Sequence, residues 1–372
     1  MTSDIPLQTG QQDSQQVTQQ VPQHTQPVSR SCTLVLPGLL DLPAAESQSA
    51  FARLGRLPAL ELFFSRAKRR DFSGAGMEAV MFDLFDVTRA ADHDKPVAAT
   101  TYAADTGQRN TGWCLRADPV HLVPDRDQLV LMMPEVLSLS QAEADRLIAD
   151  LNAVYAEDGW RFEACTPERW YLHLPADPQL RSYDLAQVRG RAIGNFLPSG
   201  PNGKQWHRIM NEVQMVLHAS VVNIERQAAG RLPVSSLWFW GGGKTPEVGH
   251  SRWSKLWSHE PVSLGLAALS STPRRAMAES AGAWLQTARS PGEHLLVLDS
   301  LQQAWQSNGV AAWERQLGVI EKDWAVPLLA ALRRGEITEL SVCTCEGHRY
   351  TLTRAGLKRW WRRRRPLAAY AE

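Results

Sequence analysis

The chain has 372 residues, 44% of them hydrophobic and 21% charged, with a formal net charge of +1. That is ordinary globular usage, enough for one large or two medium domains. Nothing global steers such a chain toward nucleic acid or an anionic membrane. Five cysteines (Cys32, Cys114, Cys165, Cys343, Cys345) are odd in number and scattered, which excludes a disulfide framework and fits a reducing cytosol. The N-terminus shows no basic region before an apolar core, and no stretch approaches a membrane span, so a cytoplasmic protein is expected. One count is unusual: 14 tryptophans.

In chain order, residues 1–30 are rich in Gln with few large apolar groups, and a disordered tail is expected there because little burial would offset its ordering entropy. The run Thr33–Leu36, closed by Pro37-Gly38, reads as a buried strand. Helical patterns follow at Asp41–Arg56 and Leu60–Arg69. Strands are expected at Trp113–Leu122, Gln128–Met133 and Trp170–Leu174, with a helix at Gln141–Val154 among them. That helix starts with Ser140 and carries Glu143 three residues on, the pattern of a capping box. A helix over Gly203–His218 follows, then buried strands at Ser236–Trp240, His294–Leu298 and Ile337–Cys343, and a helical pattern over Val310–Arg334.

Strands alternating with helices predict an α/β fold with a doubly wound, mostly parallel sheet. The expected organisation is a core of residues 31–109 and 233–350, an inserted α+β domain at 110–232, and a basic Trp/Arg-rich segment at 351–372.

Three short motifs carry less than they suggest. Gly241-Gly242-Gly243-Lys244-Thr245 has Trp238 where a P-loop needs its first glycine, and reads as a flexible turn at a sheet edge. Cys343, Cys345 and His348 lack the paired spacing of a zinc knuckle and read as a strand-end coincidence. The segment Lys358–Pro366 reads as a solvated charge run whose Trp360-Trp361 pair docks the last helix. Nucleic-acid contact through that segment is the alternative reading.

On the Gly203–His218 helix, Ile209, Val213, Val216 and Leu217 form a core stripe. His207, Asn211, Gln214 and His218 form a second stripe, which either lines a cleft or packs at the surface. Two His, an Asn and a Gln, with no Lys or Glu, are unusual for a merely solvated face.

The stretch Val222-Asn223-Ile224-Glu225-Arg226 and Gly230 through Gly241 resembles a segment of archaeal-type cofactor-independent phosphoglycerate mutases, relatives of alkaline phosphatase. Leu36–Asp41 is similar to the family's first strand and turn, Leu57–Glu61 to a helix start, and Leu115–Val120 to a strand of its inserted domain. The motif Leu197–His207, with Asn211-Glu212 and Gln214-Met215, resembles a bacterial branch of regulatory proteins of the RpfE type. The resemblance covers about residues 33–350. It implies an alkaline phosphatase-like core, and anion contact at Arg116, Asn223 and Arg226, for which structural ion pairs are the alternative.

The family's chemistry needs two divalent metals and a serine nucleophile, since paired cations neutralise an in-line phosphoryl transfer. Placed on the family pattern, Pro37 stands where a metal aspartate would be, and Ala75 replaces the serine unless Ser73 serves. Gln302 and Gln306 replace an Asp-His pair, and Glu346-Gly347 a second one. The expectation is a degenerate mutase-like protein with no catalytic residues, metal or cofactor, having a regulatory role or binding a small phosphorylated or carboxylated metabolite. A nucleic-acid or membrane partner is not expected. An active phosphoryl-transfer enzyme with a rearranged site and an interaction module using the basic C-terminus are the alternatives.

Overall fold

The computed structural model describes Met1 and residues 30–40, 42, 50–51, 53–72, 74–87 and 94–371. The Gln-rich tail, much of the Asp41–Arg56 pattern and Ser73 lie outside the described residues. The larger of two sheets has seven strands, in the order β2 (Lys68–Asp71), β12 (His348–Thr353), β11 (Glu339–Thr344), β1 (Arg30–Val35), β10 (Gly292–Val297), β8 (Trp253–Trp257) and β9 (Arg274–Arg275). The strands β11, β1, β10, β8 and β9 are parallel to their neighbours in that run, while β12 and β2 add an antiparallel edge. Successive side chains of the central strands enter different cores: Val35 and Leu295 face one cluster, Leu34 and Leu296 the other. Burial on both faces is why these strands read as near-continuous apolar runs.

The second sheet is antiparallel, ordered β4 (Gln128–Met132), β3 (Trp113–Asp125), β6 (Arg169–Leu174) and β5 (Arg161–Thr166), with β7 (Ser236–Gly243) also paired to β3. This places β7 outside the core sheet expected for residues 233–350. The chain re-enters the seven-stranded sheet at β8, after Gly243. The three glycines explain the difference. A Cβ on Gly241 would meet Val97 Cβ at 2.9 Å, one on Gly242 would meet Leu115 Cδ2 at 2.6 Å, and one on Gly243 would meet Pro96 Cβ at 2.5 Å. They form a tightly packed strand end, not the flexible turn expected from sequence.

The two sheets share one core. A single apolar cluster runs from Val35, Leu256 and Leu295 of the larger sheet to Leu115, Leu172 and Trp238 of the smaller. The opposite face of the larger sheet is covered by a cluster that includes Trp284, Trp313 and Leu328.

Other boundaries moved for local reasons. The expected Leu60–Arg69 helix ends at Arg66, because Lys68–Asp71 pairs with β12 instead. β12 runs to Thr353, so the strand crosses the expected start of the basic segment at residue 351. The Val310–Arg334 helix begins earlier, at Ser300, bends at Gly309 (φ 67°, ψ −163°), passes through a π turn at Ile320–Ala325 and stops at left-handed Gly335. The capping box at Ser140 forms with both reciprocal bonds to Glu143. Among the described residues no helix is long and apolar enough to cross a membrane.

Candidate functional site

Open α/β sheets bind ligands at the carboxyl ends of their strands, where the strand order reverses. Here that point is the end of β1, flanked by β10 and β11. Pro37 and Gly38 follow β1 directly. Gly38 has a φ of 81°, and a Cβ there would lie 2.7 Å from the Gln302 backbone nitrogen. Trp313 Nε1 donates to Gly38 O at 2.6 Å. The start of the Ser300–Val319 helix therefore lies directly on the strand end.

On the other side, Gly76 N donates to Cys345 O and Phe72 N to Gly347 O, both at 2.7 Å. A Cβ on Gly347 would sit 3.1 Å from Gly74 O and 3.9 Å from Ala75 Cα. So positions that the resemblance assigns to one site do meet in space, Gly38 with Gln302 and Gly74-Ala75 with Gly347. Asp299, just past β10, accepts a 2.7 Å bond from Gln303 Nε2. An Asp-x-x-x-polar spacing thus begins at Asp299 as well as the one expected at Gln302, again with Gln in second place. Among the described residues no three His, Cys, Asp or Glu gather to hold an ion. A pair of divalent ions needs several anionic or imidazole ligands each. The Pro, Gly, Ala and Gln side chains present here do not fit that group. Cys343 is no better a ligand, since burial pushes its thiol up to about 12.

The residues expected to meet an anion are engaged inside the fold. Arg116 Nε and Nη2 donate to Asp118 Oδ1 at 3.0 and 2.7 Å, with the guanidinium carbon over Tyr171 at 5.5 Å and Trp240 at 5.3 Å. Asp118 also accepts from Trp240 Nε1 at 2.7 Å and Trp170 N at 3.3 Å. Asn223 Nδ2 donates to Leu217 O and Val234 O at 2.7 and 2.8 Å, and its Oδ1 accepts from Val234 N at 2.9 Å.

Arg226 is fully buried and donates to Leu232 O at 2.8 Å, to Glu143 Oε1 at 3.0 Å and to Leu137 O. Burial would raise the Glu143 carboxyl, but bonds from Ser140 N and Oγ and from Arg226 outweigh it and hold Glu143 at about 2. Arg116 and Arg226 thus form ion pairs inside the fold, and Asn223 is bonded to backbone groups.

The polar stripe does face open space. His207, Asn211 and Gln214 line a groove of about 580 Å³ against Asp127–Leu129 and Ile193–Asn195. Asn211, Gln214 and His218 continue into a second groove of about 470 Å³, where the Asn223 side lies near Val234. His207 Nε2 lies 2.8 Å from Pro198 O, and Gln214 Nε2 donates to Ser236 Oγ at 3.3 Å. Asn211 and His218 are exposed. Arg116 and Arg226 line neither groove.

Sequence reasoning missed an acidic cavity. Glu78, Asp94, Lys95 and Asp184 line a space of about 160 Å³ beside Trp240 and Gly241. Asp94 accepts from Ser182 N at 3.0 Å and from Ser182 Oγ. Burial first, then the neighbouring Glu78, pushes Asp184 up to about 7. Glu260, just beyond β8, caps the Pro261–Leu269 helix through Val262 N and Ser263 N at 2.8 and 2.7 Å. Burial nevertheless pushes it to about 7, and Glu78 adds to the rise. The cap-then-helix pattern of Asp184 and Glu260 was visible in the chain; their shared link to Glu78 was not.

No family model matches the chain. It is 27% identical over 157 residues to a probable 2,3-bisphosphoglycerate-independent phosphoglycerate mutase of Geobacter sulfurreducens, covering 41% of this chain and 38% of that one. It is 32% identical over 114 residues to the 2,3-bisphosphoglycerate-independent phosphoglycerate mutase of Methanosarcina mazei, covering 29% and 28%. The matched stretches thus span less than two fifths of these relatives. Among solved structures, the PH0037 protein from Pyrococcus horikoshii aligns over 88% of both chains at a TM-score of 0.54 and 12% identity, a likeness of fold. The relatives support the mutase resemblance and the mixed α/β architecture.

Proposed function

We propose that this chain is a binding relative of the phosphoglycerate mutases, with a regulatory role, which recognises a small phosphorylated or carboxylated metabolite and does not transfer phosphate. The observation that carries this reading is the closed end of β1. Helix backbone at Gln302 fills the space beside Gly38, and Ala75 and Gly347 bring no nucleophile or ligand to the place where they meet. A phosphoryl transfer without paired cations or a nucleophile lacks the charge neutralisation it depends on. For the ligand, the grooves along the Gly203–Ala219 helix offer imidazole and amide groups in a line, His207, Asn211, Gln214 and His218. Such convergent polar groups in a largely apolar depression are what small-molecule sites use for orientation.

The purified chain, given Mn²⁺, Co²⁺ or Mg²⁺, is expected to show no interconversion of 2- and 3-phosphoglycerate and no stoichiometric pair of metals by elemental analysis. Sustained turnover, or two bound ions per chain, overturns the reading in favour of an active enzyme. The binding half is checked by melting temperature against three- to six-carbon phosphorylated acids, which rises as a ligand selective for the native state binds. Replacing exposed Asn211 and His218 with Ala should remove that rise while changing stability by no more than about 0.5 kcal/mol each, as surface substitutions do.

A further inference from the structure

Lys358–Arg365 holds six cations in eight residues, and the structure folds this stretch back onto the edge of the larger sheet. Arg359 Nη1 donates to Arg66 O at 2.9 Å, and Arg362 Nη1 to Ala67 O at 3.1 Å. Arg365 N donates to Ser65 Oγ at 3.2 Å, and Ser65 Oγ also meets Tyr370 OH at 3.0 Å. Leu367 is buried, and Tyr370 packs on Phe64 with ring centroids 5.3 Å apart. These residues anchor the segment. The tryptophan pair does not: Trp360 and Trp361 are 80% and 64% exposed, contrary to the docking role expected from sequence.

The fold-back encloses a groove of about 890 Å³ beside the edge strand β2. Lys68, Arg69, Arg362, Arg363 and Arg365 line it, and among its described lining residues there is no carboxylate. Asp71, at the end of β2, meets Arg69 Nε at 3.5 Å and His348 Nδ1 at 2.9 Å. Outside the groove's lining, burial, then Arg364 and Arg333, depress the Arg66 guanidinium. The overall charge of +1 hides this local excess.

We propose that this groove binds single-stranded nucleic acid, with phosphates along the cationic wall and bases on Trp360 and Trp361, which lie outside the groove's own lining but directly precede its Arg362 and Arg363 in the chain. Cations that track a backbone beside exposed aromatic faces are the two components of sequence-tolerant single-strand binding. The tryptophan rings stand edge to face, 6.2 Å apart at 83°, so a face of each is offered separately to a base. A small anion would need neither the tryptophans nor five cations. A bilayer surface would not enter a concave groove.

The test is fluorescence anisotropy of the full chain with a labelled 20-nucleotide oligothymidylate. Neutralising about five phosphates gives a slope of about −3.5 in log affinity against log salt for a single strand, or roughly a 100-fold loss from 50 to 200 mM salt. W360A/W361A should weaken binding about tenfold or more, since each base stack on an aromatic ring accounts for at least a fivefold share. R363E/R365E should abolish it. Both pairs are exposed and take no side-chain part in anchoring the segment, so circular dichroism and melting should match the parent. Absence of binding in 50 mM salt overturns the proposal. So does binding indifferent to W360A/W361A, equal or tighter binding of a duplex of the same length, or capture by phosphatidylserine vesicles in place of the oligonucleotide.

Discussion

Replacing Arg226 with Met should lower stability by about 3–5 kcal/mol, the usual result of removing one partner of a buried pair. Met fills most of the arginine's volume, so the loss does not come from a cavity. It comes from what is left behind: the Leu137 and Leu232 carbonyls lose their donor, and Glu143 loses its buried partner while keeping Arg231 at 2.8 Å. Those groups tie the Val221–Ala228 helix to the start of the Gln141–Tyr155 helix, so the change unfastens two elements at once. Pairing Arg226→Met with Glu143→Gln should recover part of the loss, with a coupling energy of about 1–3 kcal/mol between contacting residues. Urea unfolding of the four proteins in that cycle is the measurement. A ligand-binding arginine on a surface would behave oppositely, with stability kept and binding lost. An Arg226→Met variant that unfolds within about 0.5 kcal/mol of the parent, the range for surface changes, would therefore restore the anion role suggested by resemblance.

This contrast shows where the sequence was readable. The β1 run, the Ser140/Glu143 cap and the two stripes of the Gly203–Ala219 helix are local patterns, and each appears where its period or cap chemistry puts it. The colinear resemblance also brought residues 37–38, 75, 302 and 347 to notice, and they do converge at one end of the sheet. What the chain could not reveal was partnership across long separations. Arg226 meets Glu143 from 83 residues away, and Trp240 meets Asp118 from 122. A motif fixes which residue is present; only the fold decides whether its charge faces a ligand or a carboxylate. Strand β7 failed for a related reason. Its all-buried apolar run suits either sheet, and the pairing with β3 rests on contacts of Gly241–Gly243 with residues 96, 97 and 115.

The acidic region at the sheet's carboxyl edge should make stability fall as pH rises from about 4 to 7. Asp184 and Glu260 are each pushed up to about 7, by burial first. Unfolded carboxyls titrate near 4, so between these values the folded chain holds protons that the unfolded chain has released, and raising the pH favours unfolding. Above pH 7 both states are ionised and the slope vanishes. Three pH units at about 1.4 kcal/mol each give roughly 4 kcal/mol per group as an upper limit. Both side chains keep partial contact with water, which reduces the effect to a few kcal/mol in total. His173 and His294 work the other way: burial depresses both, so their contribution grows as pH rises toward 6.5. Glu143, held at about 2, adds stability that is lost only as pH falls below the usual carboxylate range. The carboxyl contribution is isolated by substitution. Glu260→Gln carries no charge but keeps an oxygen for only one of Val262 N and Ser263 N, which the parent's Oε1 and Oε2 accept separately, so it should be less stable than the parent at pH 5 and gain on it toward a crossover by pH 8. Asp184→Asn should show the same crossover, and because Glu78 bears on both groups, the double variant should gain less than the sum of the two. Parent and variant stabilities that run parallel from pH 5 to 8 would mean that these carboxyls titrate as ordinary solvated acids.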